Sequence, residues 1–186
     1  MGTRDSALTS VSWAQSLVSD RQTVFIDTET TGLDGMAEIV DIAILGIDGE
    51  VLLDTLVKPA RHLPSFVSRI HGIYDDDVAD APSWTDVYEM AYPLLSARPI
   101  VVFNVDFDRR IIRQCCASSR LRQIDNPDGW HCAMKMYATY MGERGYGYRR
   151  QKLETAARAF GITPGGHRAL GDAEACRQVV HRIALD

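Results

Sequence analysis

The sequence predicts one α/β domain built on a mixed β-sheet. Three apolar stretches in the first half, residues 23–26, 38–47 and 51–57, are rich in β-branched side chains and short enough for strands. After them, apolar and amphipathic segments alternate, as they do when helices separate parallel strands. The length of 186 residues, with 46% hydrophobic and 24% charged residues, suits a single globular domain.

The first three strands are expected to form an antiparallel meander. Asp48 and Gly49 separate the second strand from the third and predict a type I′ hairpin turn. Two helices should follow at about 64–70 and 83–96. The second of these begins after Pro82-Ser83-Trp84, a sequence suited to a helix start.

The second half should return to the sheet once and then become helical. Residues 100–103 (IVVF) follow Pro99 and predict a fourth, buried strand. The elements expected after it are helices at about 106–118 and 132–141, a loop at 142–150, a helix at 152–160 ended by Gly161, a turn at 164–166 and a last helix at 169–184. Residues 1–20 read equally well as a short helix or a loose tail, so we treat them as an N-terminal extension to a domain at 21–186.

The charge distribution is uneven along the chain. The formal net charge is −5, which argues against a protein that simply coats nucleic acid. Residues 1–108 carry a net charge of −12, whereas residues 109–186 carry +7. Such polarity fits an acidic, cation-binding part beside a basic, phosphate-binding part, although ordinary solvated charge explains it as well.

Neither a membrane location nor disulfide bonding is expected. No apolar run reaches the length of a membrane span, and the first residues lack the apolar region of a secretory signal, so we expect a cytoplasmic protein. Of the four cysteines, Cys115, Cys116 and Cys132 could join His131 in a metal cluster, but none forms a CxxC pair. Buried reduced thiols are the better interpretation.

Two carboxylates stand together after the first predicted strand. Asp27 and Glu29 are two positions apart, so in extended backbone their side chains point to the same face. Like charges this close repel each other, and burial increases the cost. A divalent cation between them would offset that repulsion, which makes the pair a candidate metal site. A solvated strand end is the simpler alternative.

Two further acidic positions could meet this pair. Asp108 follows the fourth strand, and parallel strands bring their carboxyl ends to one edge of the sheet. Asp106 competes for the same role, but Asn104-x-x-Phe107-Asp108 is the better pattern. Asp172 lies early in the last helix, five residues after His167, which ends a Gly-rich turn.

These motifs, in this order, resemble those of the DEDDh 3′–5′ exonucleases, the DnaQ-like family of the RNase H-like fold. The resemblance covers about residues 23–183. The matching segments are residues 25–33 (FIDTETTGL), residues 70–73 (IHGI), Asn104-x-x-Phe107-Asp108 and residues 167–173 (HRALGDA). Within the family, Phe107-Asp108-Arg109-Arg110 and Trp130-x-Cys132-x-Met134-Lys135 resemble the exonuclease X type, which acts on DNA.

The resemblance implies a fold and a mechanism. The fold is an RNase H-like mixed sheet of five strands, an antiparallel meander plus parallel strands, flanked by helices. Asp27, Glu29, Asp108 and Asp172 would hold two Mg²⁺ or Mn²⁺ ions, since hard cations prefer oxygen ligands. His167 would accept the proton of the attacking water, a role suited to imidazole near neutral pH. Hydrolysis would release nucleoside 5′-monophosphates from a 3′ end.

The same resemblance suggests which residues contact the substrate. Hydroxyl and backbone groups would bind the terminal sugar, apolar and aromatic side chains would pack on the last bases, and a basic and aromatic stretch would hold the strand. The residues expected in these roles are Thr30, Thr31, Gly32, Leu33, His71, Ile73, Asn104, Phe107, Tyr148, Arg149 and Arg150, with Arg144, Tyr146 and Lys152 in the same basic stretch.

Two alternatives to a DNA exonuclease stay open. An enzyme that trims RNA 3′ ends would use the same chemistry, because the motifs contain no residue that decisively reads the 2′-hydroxyl group. A non-catalytic module that docks a polymerase or nucleic acid would usually lack an acid or the histidine, and all five are present. A polymerase or another protein is therefore a further possible partner, beside the 3′ end of a nucleic acid.

Overall fold

The computed structural model describes residues 4–127 and 129–186, and its core is a five-stranded sheet with helices on both faces. The strands are β1 (Val24–Thr30), β2 (Ile39–Gly46), β3 (Val51–Leu56), β4 (Ile100–Val102) and β5 (Trp130–Cys132). The helices are α1 (Arg4–Ser19), α2 (Ser65–His71), α3 (Asp75–Val78), α4 (Trp84–Leu95), α5 (Val105–Ser118), α6 (Ala133–Glu143), α7 (Leu153–Ala159) and α8 (Ala169–Ala184). In the described part of the chain, no helix is long and apolar enough to cross a membrane.

The sheet is mixed, as the sequence predicts. Its strand order is β3-β2-β1-β4-β5. Strand β1 pairs antiparallel with β2, and β2 pairs antiparallel with β3. Strands β4 and β5 run parallel to β1, so the carboxyl ends of three strands lie at one edge. This confirms the meander followed by parallel strands, and that edge is where ligands bind in open α/β sheets.

Alternation along β1 divides the core into two layers. Val24 and Ile26 point into a cluster with α4 and α5, whereas Phe25 points to the opposite face, among residues of α6 and α8. Because side chains two positions apart share a face, Asp27 and Glu29 continue the Phe25 row. The first strand thus aims both carboxylates at the layer that contains α8.

The N-terminal segment is a helix in the structure. Ala14 and Leu17 of α1 are buried in the same cluster as Val179 and Ile183 of α8. Ser10 donates a hydrogen bond to the Glu143 carboxylate at the end of α6. Of the two open readings of residues 1–20, the described residues from Arg4 onward therefore follow the helical one.

Three local predictions need correction. Strand β1 extends to Thr30 because Glu29 still pairs with Asp41 of β2, so Asp27 and Glu29 lie inside the strand rather than after it. The resemblance implies a fifth strand, but the position of β5 was not predicted, because three residues are too few for a periodic pattern. The short helix α3 was not predicted either.

The hairpin turn between β2 and β3 is in the predicted place but has another geometry. A type I′ turn needs a positive φ at both central residues. Of Asp48 and Gly49, only Gly49 has one, at 87°. The Gly49 N–H donates to the Gly46 carbonyl, and the Gly46 N–H donates to the Glu50 carbonyl. This is the three-residue loop in which one glycine forms a bulge, and it supplies the same reversal.

Candidate active site

Four carboxylates from three elements converge at the carboxyl edge of the sheet. Asp27 and Glu29 come from β1, Asp108 from the first turn of α5, and Asp172 from the first turn of α8. All four line one open cavity of about 610 Å³. The acidic residues that make the first half of the chain negative thus include three that meet at a single site.

Asp108, and not Asp106, belongs to the site. The Asp108 side chain is only 3% exposed and accepts a hydrogen bond from the Thr28 hydroxyl, with Oγ1 to Oδ1 at 2.8 Å. Asp106 is exposed and forms an ion pair with Lys135 at 3.1 Å. The two residues are two positions apart on a helix, so they point in different directions.

The four carboxyl groups resist ionisation in the absence of a cation. Burial, followed by the charges of Asp108, Asp172 and Glu29, raises the pKa of Asp27 well above its ordinary value. Burial and the charge of Asp172 raise the pKa of Glu29 to about 8. Burial raises the pKa of Asp108 to about 7 although the Thr28 hydroxyl opposes the shift, and burial also raises the pKa of Asp172. Such a cluster has the character of a cation site.

The donor set fits divalent metal ions. One carboxylate oxygen each of Glu29 and Asp172 and one imidazole nitrogen of His167 lie within 4.8 Å of one another. Carboxylate oxygens are the ligands that Mg²⁺ and Mn²⁺ favour. All four cysteines are free thiols, and none of them belongs to such a group among the residues described. The interpretation of the cysteines as buried or half-buried thiols is therefore favoured over a cysteine metal cluster.

The pKa shifts predict how the metal-free protein responds to pH. The ordinary carboxyl pKa is 3.8 for Asp and 4.5 for Glu, and in the folded protein the pKa is raised to about 7 for Asp108 and about 8 for Glu29. At pH values between the ordinary and the raised pKa, the folded state binds more protons than the unfolded chain. The free energy of unfolding should therefore fall as the pH rises through this window. We expect the melting temperature of metal-free protein to drop by several degrees from pH 5.5 to pH 8.5, at about 2–4 °C per kcal/mol.

Thermal unfolding at these two pH values, with EDTA and with Mg²⁺, checks this expectation. Mg²⁺ should restore most of the loss at pH 8.5 and have little effect at pH 5.5. A melting temperature that rises with pH in EDTA would contradict the electrostatic description of the site.

His167 sits at the rim of the cavity on a strained turn. Its φ is 57°, in the left-handed region that non-glycine residues rarely adopt. Its Nε2 lies 3.4 Å from Oε1 of Glu154, at the start of α7. The sequence did not point to Glu154, because nothing in the pattern of α7 indicates that its first turn faces the histidine.

An ion pair with a buried carboxylate fixes Arg168, the residue that follows His167. Asp41 on β2 is 1% exposed, and its Oδ2 accepts hydrogen bonds from Arg168 Nε at 2.9 Å and from the Ala169 N–H at 3.3 Å. This anchors the first turn of α8 between His167 and Asp172. Sequence analysis missed Asp41, although a carboxylate within an otherwise apolar strand was a signal that could have found it.

Two glycines let the histidine turn approach α8. A Cβ on Gly171 would lie 2.4 Å from the carbonyl oxygen of Gly165, and one on Gly165 would lie 2.2 Å from the backbone nitrogen of Asp172. These are backbone contacts that no rotamer change relieves. The turn at residues 164–166 and the start of α8 therefore pack backbone to backbone.

Replacing Gly171 by Ala should push the His167 turn away from Asp172. We expect activity to fall about tenfold to a hundredfold, since a displacement of about 1 Å can cost that much. Far-ultraviolet circular dichroism should stay unchanged because α8 itself tolerates Ala well. Gly46→Ala serves as a control, since its Cβ would meet only ordinary contacts of 3.7 Å or more. Equal activity in both variants would contradict the close approach.

The cavity brings together about a third of the predicted substrate residues. Leu33, Asn104, Phe107 and Arg150 line it beside the carboxylates, and so does Lys152 from the basic stretch. Residues that were not among the predicted substrate contacts complete the wall: Thr28, Phe103, Met134, Gln151, Leu153 and Glu154.

The other predicted substrate residues lie outside the cavity wall. Thr30 is buried and donates its hydroxyl to the Gly32 carbonyl at 2.7 Å, while the Thr31 hydroxyl accepts the Glu38 N–H at 2.9 Å. Both hydroxyls thus stabilise the loop after β1. Gly32 is itself buried.

His71 and Ile73 are core residues in the structure. His71 is 4% exposed and its Nδ1 accepts the Ile73 N–H, and Ile73 is 2% exposed in a small cluster with Val40, Leu63 and Val78. The structure therefore places both side chains in the core, not at the cavity wall. Arg144, Tyr146, Tyr148 and Arg149 are exposed and do not line the cavity. Arg144 instead pairs with Asp186, just beyond the last residue of α8, at 2.6 Å.

Comparison with known proteins agrees with this geometry. The family model RNase_T, described as exonuclease, matches residues 24–180. An exonuclease of Escherichia phage 186, CP81, is 39% identical over 173 residues, which cover 87% of this chain and 87% of that protein. The chain therefore belongs to the RNase_T exonuclease family.

Solved structures of the same fold are nucleases. Exonuclease X, solved with 5′ overhanging duplex DNA, is 28% identical with a TM-score of 0.60, covering 88% of this chain and 93% of that one. The nuclease domain of 3′hExo, described as a DEDDh family member bound to rAMP, is 18% identical with a TM-score of 0.63, covering 88% and 89%. The chain is a 3′–5′ exonuclease of the DEDDh type, with the RNase H-like fold that its motifs imply.

A DNA polymerase III subunit is also similar. DNA polymerase III subunit epsilon of Buchnera aphidicola is 29% identical over 115 residues, which cover 55% of this chain. The match spans 49% of that subunit, about half its length.

Proposed function

We propose that this exonuclease removes nucleotides from the 3′ ends of DNA, as single strands or frayed ends, and releases 5′-monophosphates. The convergence of Asp27, Glu29, Asp108 and Asp172 with His167 in one open cavity carries the proposal. The cavity, of about 610 Å³, has room for a chain end, and its wall includes Arg150 and Lys152 as well as the carboxylates.

The four carboxylates would hold two Mg²⁺ or Mn²⁺ ions. Bound there, the ions supply Lewis acidity toward the phosphate and lower the pKa of water. The protein's own contribution would be to hold these carboxylates in a fixed arrangement. Strand β1 presents Asp27 and Glu29 on one face, and the first turns of α5 and α8 present the other two.

His167 would accept the proton of the attacking water. Its imidazole shares the rim with Glu154, whose carboxylate is close enough to orient it. The chain offers no nucleophilic side chain in this scheme, so the expected reaction is a direct displacement at phosphorus by water, with the 3′ oxygen as the leaving group.

Other residues of the cavity wall are suited to the terminal nucleotides. Leu33 and Phe107 offer apolar and aromatic surface on which any base can pack. Arg150 and Lys152 offer positive charge for the phosphates that follow. Thr30 and Thr31 remain candidates for the sugar only through backbone groups, because their hydroxyls bond within the loop.

DNA is favoured over RNA by the more similar structure. Exonuclease X, the 28% identical protein, is described with duplex DNA, whereas 3′hExo, described with rAMP, is similar in fold at 18% identity. RNA 3′-end trimming remains the second candidate, because the proposed hydrolysis would be the same for deoxyribose and ribose ends.

The proposal includes a polymerase subunit as a protein partner. It is supported by the similarity to a DNA polymerase III epsilon subunit. We also propose that the exonuclease domain comprises residues 21–186 and that α1 is an extension packed on it. Both ideas can be tested by co-purification with a polymerase subunit and by removing residues 1–20.

A time course on labelled strands tests the proposed activity. DNA and RNA oligonucleotides, labelled at the 5′ or the 3′ end, are incubated with Mg²⁺, Mn²⁺ or EDTA and resolved on a gel. We expect a ladder that shortens from the 3′ end with metal only, and faster on DNA. Faster shortening of RNA would favour the second candidate, and no cleavage by folded protein would favour a binding module.

A further inference from the structure

Helix α5 holds the loop that carries Leu33 through several side-chain hydrogen bonds. Arg110 donates from Nη2 to the Leu33 carbonyl and from Nη1 to the Asp34 carbonyl, both at 3.2 Å. Gln114, one turn further along the helix, donates from Nε2 to the carbonyls of Asp34 at 3.2 Å and Ala37 at 3.1 Å. The loop after β1 is therefore attached to the helix that supplies Asp108.

Arg110 and Gln114, which we call the clamp, also bond to each other, and Arg110 contacts a residue of the cavity wall. Arg110 Nη1 donates to Gln114 Oε1 at 2.8 Å. The Arg110 guanidinium lies over the ring of Phe107, 5.4 Å from its centroid, and Phe107 lines the cavity. Both terminal nitrogens of Arg110 are thus engaged within the protein, which distinguishes this arginine from a free phosphate ligand.

The clamp holds an exposed apolar side chain at the cavity. Leu33 is 77% exposed although it lines the cavity wall. An exposed leucine fixed in place, rather than free to fold back, is available to pack on an apolar face of a ligand. Backbone carbonyls on both sides of the loop tip are held, so the position of Leu33 relative to Asp108 is set by Arg110 and Gln114.

We propose that Arg110 and Gln114 are positioning residues that fix Leu33 against the base of the terminal nucleotide while its phosphate lies at Asp108. This inference rests on the proposed function and deepens it. It predicts that the enzyme distinguishes a 3′ nucleotide with a base from one without, and that the clamp is needed for the distinction.

The test uses two DNA oligonucleotides that differ only in the last nucleotide. One ends in thymidine and the other in a stable abasic analogue, and kcat/KM is measured for removal of that nucleotide. The wild-type protein should prefer the thymidine end by about tenfold, within the range that the stacking of one base contributes. The preference should appear mainly in KM.

Four single variants distinguish the effect of the clamp's hydrogen bonds from the effect of positive charge. Gln114→Ala removes two loop bonds without changing charge, and Arg110→Ala removes the other two. Both should reduce the preference to about twofold or less, as should Leu33→Ala. Arg113→Ala removes a positive charge from an exposed position of the same helix and should retain the preference. The double variant Leu33→Ala/Gln114→Ala should lose no more than either single variant, since both act through one contact.

Each outcome decides the proposal. Three results would overturn the inference while leaving the exonuclease assignment intact. The wild type could show no preference for the thymidine end, Gln114→Ala and Arg110→Ala could retain the preference, or Arg113→Ala could lose it to the same extent. Independent, multiplying losses in the double variant would also overturn it. Failure of wild-type protein to cleave either oligonucleotide with metal would instead overturn the proposed function itself. Melting temperatures show which variants remain folded, and the two clamp variants give independent readings.

Discussion

Replacing Asp27 by Asn should reduce the rate of 3′-end cleavage by at least about a thousandfold. Asp27 lies at the centre of the cluster, where the charges of Asp108, Asp172 and Glu29 all act on it. A metal ion that loses one ligand supplies several kcal/mol less stabilisation to the transition state, and each 1.36 kcal/mol is about a factor of ten in rate. Gel assays in Mg²⁺ and in Mn²⁺ measure the loss.

The same substitution should have the opposite effect on stability without metal. Asp27 is a buried group whose ionisation its neighbours oppose, so a neutral amide of the same shape removes repulsion. We expect Asp27→Asn to melt at a higher temperature than the wild type in EDTA at pH 8, and to lose most of the increase that Mg²⁺ gives the wild type.

Asp106→Asn is the matched control. Asp106 lies on the same helix as Asp108 but is exposed and pairs with Lys135. It should keep near-normal activity and the full response to Mg²⁺. If Asp27→Asn retained metal-dependent cleavage, or if Asp106→Asn were equally inactive, the assignment of the metal ligands would be wrong.

The sequence predicts the sheet well because its strands are buried runs separated by strong turn residues. Strands β1 to β4 were each predicted within a few residues. The turn at Asp48-Gly49 was located correctly although its type was wrong, because one glycine with positive φ suffices for the reversal. The position of β5 was not predicted because its three half-buried residues show no hydrophobic periodicity, and its pairing with β4 depends on tertiary structure.

The features of the site that follow from local sequence were also predicted, whereas those that depend on long-range contacts were not. The shared face of Asp27 and Glu29 follows from the two-residue period of a strand. The roles of Asp41, Glu154 and Arg110 depend on contacts more than 10 positions away in sequence, such as Arg110 with the Leu33 carbonyl. No local pattern specifies such contacts.

Hydroxyl groups show why residue type alone is insufficient for substrate contacts. Thr30 and Thr31 have the chemistry to bind a sugar, yet their hydroxyls satisfy backbone groups of their own loop. A buried polar group must find a partner, and in a tight loop the nearest partner is local. Their value to the site is to shape the loop that presents Leu33.

Removing the imidazole of His167 should lower kcat by about a hundredfold to ten-thousandfold, the range that a positioned proton acceptor contributes. His167→Gly is the suitable substitution because the φ of 57° costs glycine nothing, so the turn keeps its shape. Unlike Asp27→Asn, this variant should still be stabilised by Mg²⁺, since the four carboxylates remain.

Added imidazole distinguishes proton transfer from a structural role. The His167 side chain lies at the open rim of the cavity, so a free imidazole molecule can reach the vacated position. We expect imidazole to restore part of the activity of His167→Gly and none of that of Asp27→Asn. If imidazole restored nothing and Mg²⁺ no longer stabilised His167→Gly, the histidine would be a metal ligand or a structural support rather than the group that accepts the proton.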